Sequence, residues 1–94
     1  MLRRVLEGSH QCPCCDYYTL NERRSYEICA ICYWEDDGQD LDALDVVSGP
    51  NHITLRQARH NFEKVGASDQ AAVGLVIATS ERAGVRRERR ASYN

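Results

Sequence analysis

Two cysteine pairs constrain this chain more than any other feature. Cys12-Pro13-Cys14-Cys15 and Cys29-Ala30-Ile31-Cys32 give C-x2-C, thirteen intervening residues, then C-x2-C, and all five cysteines fall between positions 12 and 32. This is the spacing of a four-cysteine zinc site. A C-x2-C turn brings two sulfurs to the same side of a tight knuckle, about 2.3 Å from one tetrahedral ion, with backbone amides aimed at the thiolates. Cys12, Cys15, Cys29 and Cys32 are therefore the expected ligands of a Zn2+ ion. Four thiolates leave no open position for water, so the ion is expected to be structural. An iron or other metal site, a dithiol redox pair and a chance cluster of thiols are the alternatives. Cys14 lies between two ligands and is expected to point away from the ion as a spare thiol, or else to replace Cys12 or Cys15.

A chain of 94 residues needs such a staple. At this size only roughly 60 to 65% of the unfolded surface is buried, which leaves apolar packing thin and points to one domain. Hydrophobic content of 43% and charged content of 28% are those of a globular chain. The start, MLRRVLEGSH, has an arginine pair with no apolar stretch behind it, so no secretory signal is expected. The longest apolar run, Ala71 to Ala78, is under half of the about 20 residues that span a bilayer. The expectation is a cytoplasmic protein without a membrane segment. Thiols stay reduced there, and an odd number would leave a disulfide framework incomplete, so the cluster points to metal.

Three segments follow along the chain. In the first, to about Trp34, the strand formers Tyr17, Tyr18 and Thr19 and then Tyr26 and Ile28 flank a polar Asn21 to Ser25 turn, which predicts a hairpin between the cysteine pairs. In the second, Glu35 to Asn51, six acidic residues lie between positions 35 and 45 with two glycines and a proline, a loop composition in which only Val46 and Val47 allow a short strand. The third opens with Thr54-Leu55-Arg56-Gln57, a capping box. Leu55, Ala58, Phe62 and Val65 continue at helical spacing, and Gly66 suits a left-handed C-terminal cap, so a helix is predicted over Leu55 to Val65. Ser68-Asp69 either caps a second helix through Ala71 to Gly84, or Leu75 to Thr79 forms an edge strand instead. The fold class is therefore α+β, with small zinc-ribbon-like antiparallel hairpins and one or two packed helices. The domain is expected over residues 1–85, and the arginine-rich stretch from Arg86, residues 86–94, is expected to be a solvated, flexible tail.

Four stretches together resemble the bacterial cysteine-rich CPCC domain family. They are Cys-Pro-Cys-Cys at 12–15, Tyr26-Glu27-Ile28-Cys29, Cys32-Tyr33-Trp34-Glu35-Asp36-Asp37-Gly38 and Ala58-Arg59-His60-Asn61-Phe62. The resemblance covers about residues 10–69 and implies a small zinc-ribbon-like domain, without assigning a biochemical role. Asp16 stands where many zinc knuckles have glycine, and Tyr33 stands at the equivalent place after the second pair. Asp tolerates a left-handed backbone, whereas Tyr33 implies a less regular second knuckle.

Charge is divided unevenly. Residues 1–50 carry −6 and residues 51–94 carry +4. No catalytic set accompanies the cysteines, so the chain is expected not to be an enzyme. Glu35, Asp36, Asp37, Asp40 and Asp42 are the candidate partner-binding residues, presenting an acidic surface to a basic protein such as a toxin, as an immunity-type or regulatory protein would. The rival function is a nucleic-acid-binding ribbon that uses Arg56, Arg59, Lys64, Arg82 and the RRERR segment, although base-stacking aromatics are not interleaved with that charge. Within the domain, Arg59 is expected to bond Glu35 or Asp36, Asn61 to hold the loop backbone, and Trp34 to seal a small core with Phe62. His10 is a candidate neighbour of the first knuckle, and His60 reads as a surface residue.

Overall fold

The structure, a computed structural model, describes residues 7–91. Residues 1–6 and 92–94, which hold most of the stretch read against a secretory signal and the end of the basic tail, lie outside the described residues. The element order is β1 (His10–Gln11), β2 (Tyr18–Leu20), a 3-10 turn at Leu41–Ala43, α1 (Leu55–Val65), and 3-10 turns at Gln70–Leu75 and Thr79–Glu81. With its cysteine cluster, this is a small α+β, zinc-ribbon-like fold. No helix among the described residues is long and apolar enough to cross a membrane.

The hairpin differs from the expected one. β2 pairs antiparallel with β1, placing Gln11 opposite Tyr18 and His10 opposite Leu20, so the first C-x2-C segment is itself the turn. Tyr26 cannot continue a strand, because its φ of 61° turns the chain. Glu27 directs its carboxylate to the amides of Asn21 and Glu22 at 2.9 and 3.0 Å. Ile28 pairs with Glu35 across the second C-x2-C segment. The short strand allowed at Val46 and Val47 is reduced to one bridge, Val47 to Thr54.

The helix begins and ends where its caps dictate. Thr54 Oγ1 accepts from the Gln57 amide at 3.0 Å, and Gly66, at φ 78°, donates its N–H to Phe62 O at 2.9 Å. A side chain with a Cβ would be strained at that φ. Leu55, Ala58, Arg59 and Phe62 form the buried face. They pack with Leu20, Ile31, Trp34 and the cysteines into one core, which places Trp34 inside as expected. Gln70–Leu75 is a 3-10 turn capped by Asp69 on the Ala71 amide, neither the α-helix nor the strand considered for this segment.

The C-terminal arm corrects the expected tail. Tyr18 donates its N–H to Arg86 O at 2.9 Å, Tyr17 bridges antiparallel to Arg87, and the Arg90 amide reaches Asp16 Oδ2 at 2.7 Å. Residues 86–90 thus pack against Asp16, Tyr17 and Tyr18 and are not a solvated tail. The sequence conceals this because the contacts join residues some 70 positions apart. Tyr17 and Tyr18 are the receiving platform, with the Arg87 and Arg86 guanidiniums 4.9 and 4.2 Å from their ring centroids.

Candidate metal centre

The fold brings Cys12, Cys15, Cys29 and Cys32 together, all buried, with one sulfur from each within 4.8 Å of the others. The Cys12 and Cys32 sulfurs lie 3.6 Å apart, and those of Cys15 and Cys29 3.7 Å apart. A tetrahedral ion with metal–sulfur bonds of about 2.3 Å needs sulfurs about 3.8 Å apart, so the donor set fits one metal ion. These four residues would hold it. Cys14 is also buried and stands outside this group of four sulfurs, with its thiol bonded to that of Cys32.

Burial and mutual contacts divide the four thiols. Burial pushes the Cys12 thiol up to about 11 and the Cys15 and Cys32 thiols well above the ordinary range. Burial opposes charge on Cys29 as well, yet hydrogen bonds from Cys12, Cys15, Cys32 and Thr19 hold its thiol well below that range. Thr19 Oγ1 donates to Cys29 Sγ at 3.1 Å. A cation binding here would displace the remaining thiol protons. Thr19 was not singled out by sequence. Its position on β2, within reach of the second knuckle, is set by folding alone.

The two knuckles are near copies, seventeen residues apart from Cys12 to Cys29 and from Cys15 to Cys32. Asp16 donates its N–H to Cys12 O at 2.9 Å, and Tyr33 donates to Cys29 O at 2.8 Å. Cys12 N–H in turn reaches Tyr17 O at 2.8 Å, and Cys29 N–H reaches Trp34 O at 2.9 Å. Asp16 and Tyr33 both adopt the left-handed backbone, at φ 70° and 73°. The second knuckle is therefore as regular as the first, against expectation. Both residues carry a strain of about 1–2 kcal/mol that glycine would avoid.

What surrounds the knuckles differs. In the second, the carbonyls of Cys32 and Ala30 accept from the backbone amides of Ser68 at 2.7 Å and Ile77 at 3.3 Å. In the first, the equivalent carbonyls accept from side chains: Cys15 O from Arg87 Nε at 2.9 Å, and Pro13 O from Arg59 Nη1 at 2.6 Å. Arg59 also grips the Asp16 carboxylate through two nitrogens at 2.8 and 3.0 Å. Its expected partners, Glu35 and Asp36, are not the ones it meets. Its place on the α1 face that covers the first knuckle directs it to Asp16, and the residue noted as a departure from glycine becomes its anchor.

The acidic candidates separate on inspection. Asp36 is 0% exposed, held by Arg23 at 2.9 and 3.2 Å and by the amides of Arg24 and Gly38. Burial alone would raise its pKa, but Arg23 and those amides hold it below the ordinary 3.8. It cannot face a partner, which corrects its assignment. Asp40 caps the Leu41–Ala43 turn and meets Arg23 at 2.8 Å and Arg90 at 3.2 Å. Asp37 accepts from Ser48 Oγ, and the backbone of Glu35 is paired with the Asn51 side chain. Asp42 is exposed. Asn61 donates to Ser68 O at 2.9 Å, which holds the chain just beyond α1 and not the acidic loop. An alternating chain of charges results, from Arg59 through Asp16, Arg90, Asp40 and Arg23 to Asp36. His10 and His60 are exposed and stand outside the four-sulfur group.

A family model described as cysteine-rich CPCC matches residues 10–83, a span that takes in both knuckles, the acidic loop and α1. Searches of curated proteins and of solved structures found no match. The family match spans most of the chain and its cysteines form the cluster described above, so this protein belongs to the cysteine-rich CPCC family.

Proposed function

We propose that this protein is a non-catalytic module, held together by a structural Zn2+ ion, that acts by binding another protein. Four buried thiolates favour zinc among soft-ligand metals and close its coordination sphere. The observation that carries the recognition reading is a cleft of about 220 Å3 beside the second knuckle, lined by Ile28, Tyr33, Ile53 and Leu75, with Glu35 and Asp69 in its walls. Ile28, Tyr33 and Leu75 are all exposed in a chain with little apolar surface to spare. An apolar cleft with carboxylates in its wall suits a segment that carries an apolar side chain next to Lys or Arg. An immunity-type or regulatory protein covering a basic partner, such as a toxin, would need that chemistry. Glu35 and Asp42 remain to face such a partner, whereas Asp36 is buried and Asp40, half-buried, is engaged by Arg23 and Arg90.

The nucleic-acid reading draws on arginines that the fold already engages. Arg82 is buried, Arg87 and Arg90 hold the first knuckle, and Arg86 lies over Tyr18 and pairs with Glu88. That favours protein recognition. Peptide display on the zinc-loaded protein tests it: sequences combining basic and apolar residues should be enriched, and Glu35→Lys with Leu75→Asp should abolish the enrichment. No enrichment, or enrichment that survives both substitutions, refutes the cleft. An electrophoretic shift of DNA or RNA at low salt would favour the rival class.

A further inference from the structure

We infer that the first knuckle is the releasing end of the metal centre, and that the C-terminal arm latches it through Arg87 and Arg90. The inference rests on the metal reading above and deepens it. Its basis is the unequal support of two otherwise matching turns. The second knuckle is buttressed by main-chain amides from Ser68 and Ile77. In the first, the two equivalent carbonyls are held by guanidiniums on long side chains, and the main-chain bond it does receive, Glu88 N–H to Asp16 O at 3.3 Å, comes from the arm itself.

The latch is dense. Arg87 Nε donates to Cys15 O at 2.9 Å, directly on a ligand residue, and Arg90 donates to Asp16 through its amide and its Nε at 2.7 and 2.9 Å. Arg59 in turn donates to Arg90 O at 2.6 Å, and Gln11 Nε2 bridges Asp16 O and Glu88 O at 2.9 and 2.6 Å. The Arg87, Arg90 and Gln11–Glu88 contacts run between the arm and the segment that carries Cys12 and Cys15, and Arg59 ties the arm to α1. Asp16, in its strained left-handed conformation, is where they converge. Metal occupancy fixes the position of this segment and the segment fixes the arm, so each stabilises the other by the same factor. Loss of the ion from Cys12 and Cys15 would free an arginine-rich arm, whereas Cys29 and Cys32 would keep their amide supports. Arg87 and Arg90 are positioning residues in this scheme and touch no metal themselves.

The order of release is measurable on the full chain, in a Cys14→Ser background that removes the fifth thiol. The zinc-loaded protein is treated with a limiting chelator and pulsed with iodoacetamide, and the tryptic peptides carrying Cys12 and Cys15 or Cys29 and Cys32 are quantified by mass spectrometry. The first peptide should be labelled ahead of the second. Arg87→Ala and Arg90→Ala should each widen the gap and weaken zinc about tenfold in chelator competition, within the usual range for coupled sites. Gln39→Ala is the control, since it removes side-chain bonds to Ala43 O and Val46 O within the acidic loop and touches neither knuckle, and its labelling order should match the parent. Simultaneous labelling of the two peptides, labelling of the second first, or an equal effect of Gln39→Ala on the order would overturn the latch. Rapid labelling of both peptides before any chelator is added would instead refute the metal centre itself.

Discussion

Replacing Arg59 by Met should cost far more than its single charge suggests. The Arg59 and Asp16 side chains are 9% and 3% exposed and share a bidentate bond, and Arg59 also supplies the Pro13 and Arg90 carbonyls. Removing one member of a buried pair typically costs about 3–5 kcal/mol, because the other is left charged in a poor solvent. Here Arg90 still reaches Asp16, so the loss should lie near the lower bound, about 3 kcal/mol. For a domain of this size, that corresponds to a fall in Tm of about 12–24 °C. The surface pair supplies the internal contrast. Arg56 meets Asp45 at 2.7 Å, a similarly short distance, but Asp45 is 73% exposed and the pair is screened by water, so Arg56→Met should cost much less than Arg59→Met. Denaturant titration of the metal-saturated protein, followed by Trp34 fluorescence, measures both. Adding Asp16→Asn to Arg59→Met should recover part of the loss, since the stranded charge is gone. Equal effects of Arg59→Met and Arg56→Met, or a double variant less stable than Arg59→Met alone, would refute the reasoning.

Removing the metal should unfold the chain, with loss of helical circular dichroism on adding chelator and recovery on adding Zn2+, because the buried cysteines make up much of the core. Asp36 has a depressed pKa in the folded state, so its contribution is fully present above the unfolded value and fades as the pH falls through the folded one. The stability difference between the parent and Asp36→Asn should therefore shrink below about pH 4, and measuring it as a difference cancels acid release of the metal, which both share. Gly8→Ala should destabilise by about 3 kcal/mol in thermal melts, since a Cβ there would lie 2.3 Å from Leu20 O, backbone that cannot yield like a flexible side chain.

Local chemistry made part of this structure readable in advance. Thr54, Gln57 and Gly66 bound the helix because capping is decided within a few residues, and the cysteine spacing identifies the four sulfurs because a knuckle is also local. The partners of β2 and of Arg59 were out of reach for the opposite reason. Tyr18 finds its neighbours at Gln11 and Arg86, and Arg59 finds Asp16, each choice made by the whole fold. Asp36 misled by composition, since a carboxylate in an acidic loop reads as surface until Arg23 is seen beside it. One usable signal lay in the sequence throughout: Cys15-Asp16-Tyr17 and Cys32-Tyr33-Trp34 are matched stretches, and an acid at the left-handed position of only one foreshadows a cation there.

Dependence on the arm also has a temporal side. A nascent chain emerges from its N-terminus, so the amides of Ser68 and Ile77 become available before Arg87 and Arg90 do. Arg59 reaches the cysteines made first before either, but the arm that completes their support comes last. A polypeptide cut short before Arg86 would carry all four sulfurs yet lack the latch on half of them, so thiol reactivity would distinguish unfinished from finished molecules.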